Sequence, residues 1–346
     1  MDRETDIAKQ WLEDPPAGAE KPGFKPEEMI VCEKCSRKNP PTRFQCFYCA
    51  ADLKISEAQA ASIAPALRQM ESWEKGYNVI LVNNNAASYS EENIRTAAGL
   101  LGWEVPEVKK ALTQETAIPV ARADSRQAAE AVKERLGNAG FSSFIWTDEE
   151  IDLDTPTRRL RGLNFGAETI TFYPFNSGEP YEIPWSEVVL VVSGSLFEKR
   201  VASTEKHNKK KEKNKVTEST ETSHDEPVMD IYSREDDTGW RVLTKGFDFS
   251  CLGAQKSLLA VENIKRLGEV IRQHAKNAGF DNNYLESRAA LGTVWPNEEK
   301  TASRNLQRAG MGSFNFDNVT VADNNAQFTK YSRLQRRRLR EPKENS

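Results

Sequence analysis

With 346 residues, 38% hydrophobic and 29% charged, the chain is long enough for two or three domains and too polar for one dense globule. A net charge of −4 argues against a surface that tracks phosphates throughout, and the longest apolar run, Val188 to Val192, is far short of the ~20 residues that a helix needs to span a bilayer. The start MDRETDIAKQWLEDPP has no basic stretch leading into an apolar core, so the sequence reads as cytoplasmic, where thiols stay reduced.

Residues 1–28 read as a flexible N-terminal segment. Residues 29–53 then carry four of the five cysteines, Cys32, Cys35, Cys46 and Cys49, spaced C-x2-C-x10-C-x2-C. Two tight knuckles joined by such a span match tetrahedral thiolate zinc. A disulfide staple would need export. A thioredoxin-like redox pair would need one C-x-x-C between a strand and a long helix, whereas here two copies flank Pro40 and Pro41. Four thiolates complete the metal's shell and leave no position to activate water, so one structural Zn2+ is expected. The stretch CEKCSRKNPPTRFQCFYCAADL resembles the zinc ribbons of bacterial multidomain proteins, with Asn39-Pro40 after the first knuckle, Phe44 before the second and an Ala51-to-Leu53 tail. Ser36 and Ala50 stand where such knuckles often carry glycine, which implies less relaxed turns. The interior C-x3-N-x6-C also resembles the Ran-binding-protein type of zinc finger, some members of which bind single-stranded RNA or ubiquitin. Ile30 and Pro40 replace the aromatics of that family, so nucleic-acid binding here would fall to Arg37, Lys38 and Arg43.

Residues 54–76 read as a helical spacer interrupted by Pro65. From residue 77 to 147 the pattern predicts a compact β-α-α-β-α-β domain. Tyr77 to Val82 is a strand, and Ser88 with Glu91 is a capping box for a helix whose face holds Ile94, Ala97, Ala98 and Leu101. Gly102 ends that helix, and Pro106 opens a second bearing Val105, Val108 and Leu112. AIPVA follows as an edge strand; Asp124 caps a third helix with Ala128, Val132 and Leu136 inward, and FSSFIW closes the sheet. Through VILV, Ile94, Arg95, Gly102, Glu107, Lys109 and IPVARADSRQAAEAVKERLGNAGF, this segment resembles the C-terminal domain of the bacterial ribosomal stalk protein and, more distantly, the ClpS N-degron adaptor. The stalk resemblance implies a lysine-bearing helix pair that recruits partner proteins, here Arg95, Lys109 and neighbouring Lys110. The histidine of the ClpS pattern has no counterpart in the segment, and Asn83 to Asn85 could supply only amides.

Residues 158–295 read as strand-rich, with LRGLNFG, ETITFYPF, EPYEIPW, EVVLVVSG, LFEKRV, VMDIYSRED, GWRVLTKG and FDFSCLG between turn residues. A helix follows with Ile264, Leu267, Ile271, Ala275 and Ala278 on one stripe. Short strands closed by one helix resemble the pleckstrin-homology arrangement, which implies peripheral membrane attachment as one possible role. Within this domain, residues 202–226 have a lysine block, an acidic block and scarcely any apolar content, and are expected to be a disordered insertion. Residues 296–346 read as a polar tail ending in arginines, of which Arg336, Arg337 and Arg338 are candidate nucleic-acid contacts.

No phosphate-binding glycine motif occurs. His207, His224 and His274 lie far along the sequence from any serine or cysteine elbow, and the acid runs Asp148 to Glu150 and Arg234 to Asp237 fall at turns. The sequence therefore reads as a multidomain α+β protein that binds rather than catalyses: a zinc-containing docking protein with a protein partner, or a nucleic-acid- or ribosome-associated factor using the ribbon and the arginine tail.

Overall fold

The computed structural model describes residues 29–40, 46–51, 53–54, 70, 74–82, 89–113, 116–151, 155–176, 178–208, 213–310 and 313–340. The chain is α+β and divides into two compact units, residues 1–66 and 67–346. No helix among the described residues is long and apolar enough to cross a membrane.

In the first unit β1 (Ile30–Val31) pairs antiparallel with β2 (Lys38–Asn39), Ile30 opposite Asn39. Cys32, Cys46 and Leu53 form its small buried core, with Ile30, Cys35, Cys49 and Ala51 packed against it.

The second unit begins with the predicted element order. β3 (Tyr77–Leu81) is the central strand of a three-stranded antiparallel sheet, flanked by β4 (Ile118–Ala123) and β5 (Ser143–Thr147). Helices α1 (Glu91–Leu101), α2 (Val105–Leu112) and α3 (Arg126–Asn138) bury Ile94, Ala97, Val108, Leu112, Val132 and Leu136. Two caps differ from expectation. Ser90 caps α1 by accepting the Asn93 N–H, and Ser88 lies outside the described residues. Ser125, extended at φ −138°, caps α3 in place of Asp124. A hydroxyl reaches an N3 amide only from the residue directly before the first turn, which moves each cap to the serine closer to its helix.

A nine-stranded sheet makes up most of the remainder. Its elements are β6 (Arg158–Phe165), β7 (Thr169–Pro174), β8 (Tyr181–Pro184), β9 (Val188–Asn208), β10 (Lys213–Ser233), β11 (Trp240–Leu243), β12 (Gly279–Asp281), β13 (Glu298–Gly310) and β14 (Ser313–Asp323). They run β13-β14-β9-β10-β11-β6-β7-β8, with β12 also on β9. The inner halves of β9 and β10 join β6, β7, β8 and β11 around Leu160, Ile170, Phe172, Ile231 and Val242, and α4 (Ala260–His274) packs Ile264, Leu267 and Ile271 onto that core. FDFSCLG, expected as a strand, is a 3-10 turn over Phe249–Gln255, because the Asp248 carboxylate accepts the Ser250 N–H and starts a helical turn instead.

Of residues 202–226, expected as a disordered insertion, 202–208 and 213–226 are instead the outer parts of β9 and β10, paired antiparallel with Ala202 opposite Thr220 and one register shift between Val216 and Glu218; residues 209–212 lie outside the described residues. On its other edge β9 pairs with β14, Val201 opposite Thr320. The segment has little apolar content, but the outer half of β9 is paired on both edges, so its backbone groups are taken by neighbouring strands whatever the side chains. The stretch expected as a polar tail is also ordered: Glu298–Gly310 and Ser313–Asp323 are the antiparallel pair β13 and β14, and Asn325–Arg340 is a helix, α6, that buries Phe328, Tyr331 and Leu334 completely. Helix α5 (Tyr284–Val294) lies on β4, so this edge strand is buried along its whole length.

Candidate metal centre

The two knuckles repeat each other at an offset of fourteen residues. Cys32 N–H bonds to Arg37 O at 3.0 Å and Cys46 N–H to Ala51 O at 2.8 Å; Ser36 N–H bonds to Cys32 O at 2.7 Å and Ala50 N–H to Cys46 O at 2.9 Å. This geometry puts Ser36 at φ 55° and Ala50 at φ 54°, the left-handed conformation that the missing glycines would have relaxed. Non-glycine residues carry a cost of about 1 kcal/mol there, which the closed knuckle has to outweigh.

Each knuckle aims its sulfurs at the other. Cys32 Sγ lies 3.6 Å from Cys49 Sγ, and Cys35 Sγ 3.5 Å from Cys46 Sγ. All four sulfurs fall within 4.8 Å of one another. A disulfide needs about 2.05 Å, whereas a tetrahedral ion with metal–sulfur bonds of about 2.3 Å spaces its ligands about 3.8 Å apart. The donor set therefore fits one tetrahedral metal ion.

The electrostatics favour a cation in the same place. Burial works against the Cys46 thiolate, but the N–H groups of Tyr48 and Cys49 and the Asn39 amide bring its pKa down to about 6. At Cys35 the Arg37 N–H favours the thiolate, while burial and the three neighbouring thiols push the group up to about 12. Four thiols this close cannot all ionise unless a positive charge sits among them.

Asn39 is the residue whose role the spacing alone does not reveal. It is fully buried; its Nδ2 donates to Cys46 Sγ at 3.4 Å and to Arg37 O at 2.9 Å, and its Oδ1 accepts the Phe47 N–H at 2.8 Å. The available signal was an amide four residues after Cys35, placed by the first knuckle against the second.

The surface of the ribbon differs from its sequence reading. Phe47 and Tyr48 are 68% and 52% exposed, set edge to face at 5.4 Å, and the Arg37 guanidinium lies 4.6 Å from the Tyr48 ring centre. Lys38 is exposed; Arg43 and Phe44 lie outside the described residues.

Of the other candidate residues, Arg95 and Lys110 are exposed on α1 and α2, while Lys109 is ion-paired with Glu91. Asn83 to Asn85 lie outside the described residues. Arg336 is not on a free tail: it is buried, its guanidinium donating to Ser233 O at 2.9 Å, Arg234 O at 2.7 Å and Asp236 O at 3.1 Å. Arg337 donates to Glu150 O at 2.6 Å and covers the Trp146 ring, and Arg338 stands over Phe144. Asp148 of the acid run is buried and bonded to Arg122, Asn78 and the Gly76 N–H. His274 is stacked on Trp185 at 4.7 Å.

No protein family, curated protein or solved structure matches this chain.

Proposed function

We propose that the chain is a zinc-binding docking protein, in which Cys32, Cys35, Cys46 and Cys49 hold one structural Zn2+ and the ribbon presents Phe47, Tyr48 and Arg37 to a partner protein. The observation that carries this reading is the pairing of a donor set closed to substrates with two large aromatic rings left in solvent beside it. A metal with four thiolates holds shape and does no hydrolytic work. Exposed aromatic and arginine side chains on a rigid frame are the residue types on which interface energy concentrates. Arg95 and Lys110, on the segment that resembles the ribosomal stalk domain, offer a second docking face on the other unit.

The test is capture of binding proteins from a native lysate by the full chain and by a Phe47→Ser/Tyr48→Ser variant, each treated with nuclease. A partner retained by the first and lost by the second supports the reading. Identical capture by both would sink it.

The same rings favour one alternative. Phe47 and Tyr48 supply the stacking surface that the sequence reading did not find, so the ribbon with Arg37 and Lys38 would also suit single-stranded nucleic acid. Fluorescence titration with a single-stranded RNA decides it: affinity that falls steeply with salt and disappears in the double variant would transfer the assignment to a nucleic-acid-associated factor.

A further inference from the structure

The first turn of α6 forms one wall of a cavity of about 640 Å³ in the second unit. Arg122 and Asp148 face it from the three-stranded sheet, Arg241 from β11, and Glu298 and Lys300 from β13. Most of its cations are already matched. Both Asp230 oxygens hold Arg241 at 2.7 Å, with Asn325 Oδ1 and Thr329 Oγ1 on its remaining nitrogen at 2.8 and 3.0 Å. Arg122 is on Asp148 and the Glu74 carbonyl, and Lys300 is on Glu298 at 3.1 Å.

Lys75 is on Glu149 at 3.5 Å, and Arg159 donates to the Lys245 carbonyl and covers the Phe175 ring without a carboxylate partner; among these cations Lys330 is the one with no polar partner among the described residues. It is 6% exposed, lines the cavity, and its ammonium makes no hydrogen bond or ion pair with the described residues; the nearest ring, Trp295, is 5.8 Å away. Burial pushes the amine down to about 8, against the pull of Asp148 and with the push of Arg122. A buried charge with no carboxylate in contact costs several kcal/mol, and such groups concentrate at sites where a ligand completes them. The helix geometry also favours an anion: α6 directs the positive end of its dipole at this wall, where the Asp323 carboxylate accepts the Asn325 N–H at 3.0 Å.

We propose that this cavity binds a small molecule through an anionic oxygen group, a carboxylate or a phosphate, with Lys330 as its ion-pair partner and the first turn of α6 as its cradle. The site is separate from the ribbon and does not depend on the docking reading. Its volume exceeds that of a bare ion and suits a small metabolite carrying such a group.

The experiment uses the full chain, with inorganic phosphate and succinate as probes at constant ionic strength and sodium chloride as the control. Thermal unfolding of the wild type is expected to shift upward by about 3 °C at ten times the dissociation constant of the preferred anion. Lys330→Met should bind that anion at least tenfold more weakly, and Lys330→Arg should retain part of the binding. A response to phosphate alone assigns a phosphate ester, and a response to succinate alone a carboxylate. Labelling of wild-type Lys330 by a small amine-reactive reagent, mapped by mass spectrometry, should slow in the presence of the same anion; this readout needs no variant to fold. The proposal is overturned if neither anion outperforms chloride, or if the Lys330→Met shift equals that of the wild type.

Discussion

Asn39 joins the two halves of the ribbon: its amide nitrogen reaches Cys46 Sγ at 3.4 Å while its oxygen holds the Phe47 N–H at 2.8 Å. A donor on a thiolate orients it and shares its charge, so Asn39→Ala should weaken the metal by about tenfold to a hundredfold. Competition with a chromophoric chelator measures this. Unchanged affinity would show that the amide only fills space.

Metal content gives a harder test. Protein purified without chelator should carry one zinc per chain by elemental analysis, and Cys46→Ser should carry less. Protons compete for all four thiolates, so release should be promoted by acid and opposed by raising the pH. A zinc content near zero in the wild type would remove the structural assignment.

Arg336 separates a structural role from a nucleic-acid role. Replacing it with alanine leaves the carbonyls of Ser233, Arg234 and Asp236 without their charged donor and should cost about 2–4 kcal/mol in urea unfolding. RNA or DNA affinity of the folded variant should be unchanged. A loss of affinity without a loss of stability would reverse the assignment.

Gly194 marks where β9 passes beneath α5 and α6. A Cβ built there would lie 2.5 Å from Phe328 and 2.8 Å from Tyr284, so Gly194→Ala should destabilise the second unit by about 1–3 kcal/mol through overpacking. Near-neutral behaviour would mean that the helix shifts freely, against its complete burial of Phe328 and Tyr331.

Lys330 gives a pH signature. Its amine titrates at about 8 in the folded protein and near 10.5 when unfolded, with Asp148, Glu298 and Arg122 as the charges that act on it. Between those values the unfolded chain holds a proton that the folded chain has lost. Stability should therefore rise with pH across that window, by ~3 kcal/mol at most, and the full cost is present below about 8. Lys330→Met should be the more stable protein at pH 7, with the difference closing toward pH 10. A gap that does not change with pH would place the amine in water.

Local chemistry was legible in the sequence. The cysteine spacing defines a site whose sulfurs meet within 4.8 Å, and the alternation of strand and helix patterns from residue 77 to 147 defines the order of those elements. Both depend on contacts between residues close in the chain, so residue type and spacing are sufficient. Even there the caps moved to Ser90 and Ser125, because a cap depends on which backbone amide a hydroxyl can reach.

The polar stretches were decided by tertiary structure alone. Residues 202–208 and 213–226 carry almost no apolar residues, and the short alternation of Phe314, Phe316, Val319 and Val321 lies inside a stretch that is otherwise polar; what orders them is the pairing of β9 with β10, the next strand, on one edge and with β14, remote in sequence, on the other. Once β14 is fixed, α6 must follow it onto the core, and arginines that read as a free basic tail become donors to buried carbonyls. The same placement encloses Lys330 beside Arg241 and Arg122, groups nearly ninety residues or more apart in the chain. Backbone hydrogen bonds carry no side-chain signature, and a buried charge looks the same in sequence as an exposed one; the fold alone distinguishes them.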